Sequence, residues 1–330
     1  MSCLSIAIPV FNEEENLPQL EARLRSAIAA MDFEDYEILF IDDGSRDSTP
    51  KILASLHDAN PHIRVIRFSR NFGHQAALQA GMDHCRGDAL VFMDADLQDP
   101  PEVIPEFVNH WRAGFEIVYA IRKKRKENFF KRSCYKVFYR SLQIVANIDM
   151  PLDAGDFCLM DRRVIDALTS LPEHNRFLRG LRSWVGFAQV GVEYERQARL
   201  AGEPKYTFGK LLGLALSGYI GFSAMPLRIA SGLGACSALG GLGLFVWAVL
   251  QKLTNRPTPW GWASTVSMIL FLGGMQLGVL GIIGEYLSRT YDEVRGRPLY
   301  IVSRQLDRPG SASSKSDSHI CKPSRFADFS

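Results

Sequence analysis

Two aspartates one residue apart, Asp94 and Asp96, follow an apolar run in "VFMDADLQDPP" (91–101), with Gln98 and Asp99 close behind. Like charges at that spacing repel one another unless something positive sits among them. Around the small Ala95 they offer hard carboxylate oxygens, the donor type of Mg2+ or Mn2+, and a cation held there brings a diphosphate with it. Other polar clusters stand beside apolar runs: Asn12, Glu13 and Glu14; Asp42, Asp43, Gly44 and Ser45; Ser69 to Gly73. A further carboxylate pair, Asp153 and Asp156, lies in "DAGDF". No GxGxxG follows the first apolar run and no GxxxxGK[ST] occurs, so a glycine cradle for phosphates is lacking and a metal is the natural alternative. The histidines form no HExxH or other cluster in the sequence and read as structural or solvated.

The elements that must position these residues follow from hydrophobic patterning. The runs 4–10, 36–42, 63–68 and 89–94 read as buried strands. Helices fit between them, over about 16–31, from Thr49 with Pro50 in the first helical position, and over about 73–85. Asp99, Pro100 and Glu102 have the spacing of a capping box opening a fourth helix. Alternating strands and helices predict an α/β fold, a mainly parallel sheet with helices on both faces. Ligands bind such sheets beyond the carboxyl ends of the strands. All four polar clusters then fall on that one edge. Each alone is ordinary turn chemistry; four on one edge are hard to call coincidence.

The chain changes character after about residue 205. Its 330 residues carry a net charge of only +2, which gives no global field for nucleic acid. Residues 229–251 and 257–284 are charge-free and long enough to span a bilayer as two antiparallel helices. Trp260 and Trp262 sit in the link between them, where interfacial tryptophans belong. Lys205, Lys210 and Arg228 before the pair and Arg289, Arg295 and Arg297 after it predict both termini in the cytoplasm. The predicted organisation is a cytoplasmic catalytic domain over 1–204, juxtamembrane amphipathic helices over 205–227, two transmembrane helices over 228–288, and a cytoplasmic segment over 289–330. In the last of these, the Ser- and Pro-rich tail after Val302 reads as disordered. Six scattered cysteines without CxxC spacing suit a reducing compartment, and the acidic start is no signal peptide.

"SIAIPVFNEEENL", "IDDGSRDST", "FSRNFGHQAALQAGM" and "MDADLQDPPE" together resemble the family 2 glycosyltransferases of GT-A fold. "DAGDFCLMDRRV", "RLAGEPKYTFGKL" and the two C-terminal apolar segments narrow this to bacterial polyprenyl-phosphate glycosyltransferases of GtrB type, similar to dolichol-phosphate mannose synthase. The resemblance spans residues 4–300. It implies an inverting transfer of a sugar from a nucleotide sugar, best UDP-glucose, to a polyprenyl (undecaprenyl) phosphate on the cytoplasmic leaflet of the plasma (inner) membrane. It also implies Mg2+ or Mn2+ dependence, service to cell-surface glycan modification, and a homotetramer.

By the same resemblance, Pro9, Phe11 and Glu13 line the nucleoside pocket, Asp43 or its neighbour Asp42 contacts the base, and Asn71 and Gly73 shape that wall. Asp94 contacts ribose or metal, Ala95 lies between the two carboxylates, Asp96 holds the metal and Gln98 sits close to sugar or metal. Asp156, with Asp153 beside it, is offered as catalytic base. A monoalkyl phosphate is mostly ionised at neutral pH, so Asp156 could instead orient the acceptor. Arg199 and Lys205 are expected to contact phosphates. The basic run 122–126 reads as membrane-facing or as a solvated face. Cys158 stands where the family commonly has a basic residue. The rival readings are a processive polysaccharide synthase, against which the absence of QxxRW and the few spans count, and a non-catalytic membrane-anchored nucleotide-sugar binder.

Overall fold

The computed structural model describes residues 3–123 (except 32 and 34), 154–173, 178–195 and 261–307, with isolated helical positions between 230 and 253. Eight strands form one sheet in the order β7-β5-β6-β4-β1-β2-β3-β8. They are β1 (Cys3–Val10), β2 (Asp35–Asp42), β3 (Ile63–Phe68), β4 (Ala89–Phe92), β5 (Ile117–Lys123), β6 (Ala154–Asp161), β7 (Gln189–Glu195) and β8 (Val302–Leu306). The strands β4, β1, β2 and β3 run parallel, as does β7 with β5. β6 is antiparallel to both β4 and β5, and β8 is antiparallel to β3.

Helices cover both faces because successive strand residues point to opposite sides. Leu4, Ile6, Ile8 and Val10 of β1 enter one core with α1 (Leu17–Ala29), Leu53 of α2 (Thr49–Ala59) and Phe107 of α4 (Ile104–Arg112). Ala7 of the same strand enters a second core with α3 (His74–His84), α5 (Arg162–Ser170) and α6 (Leu178–Trp184). Burial on both faces explains why the parallel strands read as near-continuous apolar runs rather than alternating ones.

Three expectations are corrected. Asp99 is not a helix cap: a 3-10 turn (Pro101–Val103) precedes α4 without a side-chain cap. Asp99 is instead buried and accepts a hydrogen bond from the Tyr194 hydroxyl, while Glu102 pairs with Arg23 at 2.7 Å. Pro100 and Pro101 have no N–H to offer a cap. The sheet is more mixed than βα alternation implies, since β6 arrives from a distant part of the chain. The tail does not leave the fold after Val302, because residues 302–306 close the open edge of β3. Their middle side chains face solvent, as an edge strand allows, so they lack the apolar alternation that would have marked a strand.

A single long helix, α7 (Trp262–Arg295), carries the C-terminal apolar segment. Its part Phe271–Arg295 is the one helix among the described residues long and apolar enough to cross a membrane. At 1.5 Å per residue its 34 residues reach roughly 50 Å, more than a hydrocarbon core needs. Phe271, Leu277, Leu280 and Leu287 are exposed along it, and Gly296 ends it in the left-handed conformation. The juxtamembrane segment 205–227, most of the first apolar segment and residues 308–330 lie outside the described residues.

The first core is keyed by Phe157, which meets Phe107 at 4.8 Å and Tyr194 edge-on at 5.9 Å between ring centroids. Truncating it to alanine is expected to cost about 3–5 kcal/mol. The check is a lowered unfolding midpoint of detergent-purified protein; an unchanged midpoint would mean this contact is not part of the core.

Candidate active site

The carboxyl ends of β1, β2, β3 and β4 lie side by side in the sheet, and the loops after them interlock. The Asn12 N–H donates to Ser45 Oγ at 3.0 Å, and the Arg46 N–H to Asn12 Oδ1 at 2.9 Å. The Glu13 N–H donates to Thr49 Oγ1 at 3.0 Å, and the Ser48 N–H to Glu14 at 2.8 Å. Glu13 itself accepts from Asn16 at 2.6 Å. Asn12 has φ of 54°, a left-handed conformation that asparagine tolerates well. Pro9 and Phe11 are half-buried on this side.

The two aspartates at the end of β2 do different work. Asp42 is fully buried; one oxygen accepts the Ser45 N–H at 2.8 Å and Arg67 Nε stands 3.2 Å from the other. It shapes the turn after β2. Asp43 reaches across to the next loop and accepts the N–H groups of Phe72 (2.7 Å) and Gly73 (3.0 Å). Burial pushes its carboxyl up, against the pull of those two donors. Gly44 between the loops has φ of +73°, and a β-carbon there would fall 2.5 Å from the carbonyl carbon of Arg70. Only glycine allows that approach. Asn71 is exposed beside the Gly73 turn.

The second half of the site is set by sheet register. β4 and β6 pair antiparallel with Phe92 opposite Cys158, and continuing that register by two residues sets Asp94 opposite Asp156. Sequence spacing alone cannot show this, because 62 positions separate the two aspartates. Ala95 is buried, while Asp94, Asp96 and Gln98 are half-buried. Leu97, buried, takes φ of 58°, a costly conformation for a bulky residue that turns its polar neighbours the other way. The Gln98 N–H closes the turn onto Asp96 at 3.1 Å.

Asp156 is gripped by a residue that sequence reasoning missed. Arg179, on α6, donates through Nε and Nη2 to its two oxygens, both at 2.7 Å. His74 Nε2, at the start of α3, stands 3.3 Å from Asp156 and 4.0 Å from Asp94, so it belongs to the site. Burial alone would raise the Asp156 carboxyl, but Arg179 and His74 outweigh it and hold it well below the usual carboxylate range. Asp94 goes the other way: loss of water, and the charges of Asp99, Asp156 and Asp96 against His74, push it up to about 6. Burial opposes a charge on His74, but its two carboxylate neighbours raise its pKa.

Asp94 and Asp96 offer hard carboxylate oxygens one residue apart in a half-buried cleft, and that donor set fits a divalent cation. Among the described residues no group of three or more His, Cys, Asp or Glu side chains could hold a metal. Two carboxylates suffice when substrate phosphates and water supply the remaining ligands. Asp153, Arg199 and Lys205 lie outside the described residues, as do residues 124–126; Arg122 and Lys123 end β5. Cys158 is buried in β6, its thiol pushed up chiefly by burial.

A GT-A-like α/β sheet with carboxylates at the ends of its central strands is the architecture of a glycosyltransferase. The chain belongs to glycosyl transferase family 2, whose family model matches residues 5–169, and the model of the GtrB C-terminal hairpin matches residues 225–290. It is 48% identical over 302 residues to an uncharacterized glycosyltransferase, YkcC, of Bacillus subtilis (91% of this chain, 93% of the relative). It is 40% identical to the bactoprenol glucosyl transferase of Shigella phage SfII (91% and 97%). Among solved structures, a glucosyl-3-phosphoglycerate synthase from Mycobacterium tuberculosis in complex with Mn2+, UDP-glucose and phosphoglyceric acid aligns with 66% of this chain and 78% of its own, at 20% identity and a TM-score of 0.45. The protein is a glycosyltransferase.

Arg179→Lys tests the Asp156 pair, because an ammonium cannot reproduce the two-pronged grip of a guanidinium. Turnover is expected to fall at least about tenfold with UDP affinity within about twofold, as for an interaction that matters to the chemical step. Wild-type turnover in this variant would remove the pair from the site.

Proposed function

We propose that this enzyme transfers glucose from UDP-glucose to a polyprenyl phosphate, undecaprenyl phosphate, on the cytoplasmic leaflet, for modification of a cell-surface glycan. The observation that carries the reading is the convergence of Asp94 and Asp156 on His74 beyond the paired ends of β4 and β6, with Arg179 on Asp156. The likeness to the phage relative, a bactoprenol glucosyl transferase, supports the acceptor and the sugar.

In this reading the nucleoside lies against Pro9, Phe11 and Glu13, walled by Asp43 and the Asn71–Gly73 turn. Asp94 and Asp96 would hold Mg2+ or Mn2+, with Gln98 beside them. When bound, the cation supplies charge stabilisation for the departing diphosphate. The acceptor phosphate is mostly ionised at neutral pH and attacks the anomeric carbon directly. The bond to the acceptor oxygen forms as the bond to UDP breaks on the opposite face, which inverts the centre. No proton has to be removed. A carboxylate held far below its usual range is a weak base, so the geometry supports orientation as the role of Asp156. It fixes Arg179, and with it the positive charge available to an incoming phosphate. Asp153, Arg199 and Lys205 remain proposed contributors to the same phosphates.

Sheet membership supports the proposed membrane topology. β7 ends at Glu195 and β8 begins at Val302, yet both belong to one sheet. A chain that leaves a sheet and returns to it crosses a bilayer an even number of times. α7 supports one crossing, and a second is proposed within 196–260, where 229–251 is charge-free. The basic residues flanking the pair favour a cytoplasmic catalytic domain. A homotetramer is part of the same proposal, since two helices make a small platform and their glycines suit close packing.

The test is transfer from labelled UDP-glucose, beside GDP-mannose and UDP-GlcNAc, to undecaprenyl phosphate by purified protein in detergent with Mg2+ or Mn2+. A glucosylated lipid that disappears with EDTA is expected. Asp96→Asn is expected to lower turnover by about a hundredfold or more while leaving the protein folded. UDP binding without lipid product from any donor would reject the acceptor, and full activity of Asp96→Asn would reject the metal assignment.

A further inference from the structure

The chain that emerges from the long helix α7 does not simply end. It packs against the loop that carries the proposed nucleotide wall. After the left-handed turn at Gly296, the ring of Tyr300 stacks on Phe68 at 4.9 Å and 18° between planes. Its hydroxyl donates to Asp83 at 2.8 Å. The Ser69 N–H donates to the Ile301 carbonyl at 2.9 Å, and Ser303 Oγ to the carbonyls of Arg67 and Phe68, both at 3.1 Å. Phe68 is the last residue of β3. Its other neighbour is Phe72, edge-on at 5.8 Å, with the Arg70 guanidinium 4.2 Å over the Phe72 ring. Phe72 and Gly73 are the residues whose N–H groups hold Asp43.

We infer that the segment after the membrane helix is a positioning element for donor binding, and that Tyr300 is its positioning residue. The inference rests on the reading of the Asp43 wall as the nucleotide side. The contacts form one continuous relay from Tyr300 through Phe68 and Phe72 to the Asp43 carboxylate. Without the stacked ring, Phe68 loses one face of its packing and the 69–73 turn loses its backstop. The turn would then sample geometries in which Asp43 and the Gly73 corner no longer meet the nucleotide together. The enzyme's hold on a soluble donor thus depends on the chain that anchors it near the lipid acceptor.

β8 contains its own control. Because it runs antiparallel to β3, its far end lies away from the site, where Asp307 pairs with Arg86 at 2.6 Å and Arg64 at 3.3 Å. Loosening that end weakens the edge strand without touching the 69–73 turn.

The experiment is calorimetric titration of UDP with Mn2+ into the full chain in detergent, beside steady-state kinetics. Tyr300→Ala is expected to raise the UDP Kd and the donor KM about three- to tenfold, the range of an aromatic pair, with kcat within about twofold. Tyr300→Phe keeps the ring, loses only the Asp83 bond, and recovers most of the affinity. Asp307→Asn leaves UDP affinity unchanged even where it lowers the melting temperature. If Tyr300→Ala does not fold, Tyr300→Leu, which keeps apolar bulk without the flat stack, shows the same direction. Wild-type UDP affinity in the folded alanine or leucine variant would overturn the inference, as would an equal loss in Asp307→Asn. An Asp43→Asn variant that binds UDP normally would overturn the nucleotide-wall reading and the inference with it. A weakened Asp43→Asn beside a normal Tyr300→Ala would overturn the inference alone.

Discussion

Asp94, Asp96, Asp99 and Asp156 converge at the ends of two neighbouring antiparallel strands, and bringing like charges together in a half-dry cleft costs free energy in proportion to how little water remains. The local structure divides that burden. Asp99 turns inward to the Tyr194 hydroxyl. Asp156 receives the full fork of Arg179, and His74 bridges toward Asp94. Asp94 and Asp96 remain half-buried in the cleft, and they are the pair proposed to hold a cation. The strained backbone at Leu97 belongs to the same arrangement, since it keeps the apolar side chain inside while its neighbours face out.

On the opposite side of the cleft, the carboxylates are met by backbone donors. Asp43 is tied to two backbone donors and Asp42 to the turn that follows it, so the loops after β1, β2 and β3 form one hydrogen-bonded frame. A rigid frame on one side and a charge-poised pair on the other suit a reaction that moves a sugar away from a fixed leaving group. Preorganised groups of this kind need not rearrange as charge develops. The C-terminal strand joins this frame from outside, which ties the catalytic domain to the helix emerging from the proposed membrane region.

Much of the fold was legible in order along the chain. The runs ending at Val10, Asp42 and Phe68 are strands, α1 and α3 differ from their predicted limits by one or two residues, and α2 starts at Thr49 as predicted. These elements are local, and double-sided burial marks them with apolar runs. The polar clusters after them were legible for the same reason. What was illegible depends on partners far away. β8 has an edge strand's polar exterior and looks like tail. The capping-box spacing at Asp99 was real in sequence, but a buried hydroxyl 95 residues later claimed the carboxylate.

The sequence by itself determined where the polar clusters fall, because the Asp94–Asp96 spacing and the turns after each strand are contiguous features. It also determined that the C-terminal half contains stretches too long and apolar for an ordinary loop. Only the tertiary structure decided how the carboxylates are used. Asp156 became a partner of Arg179 when β6 inserted beside β4, Asp42 became a buried turn residue, and His74 moved from bystander to bridge. Charge state and exposure are set by what surrounds a group in space, and strand register, not spacing along the chain, determines those surroundings.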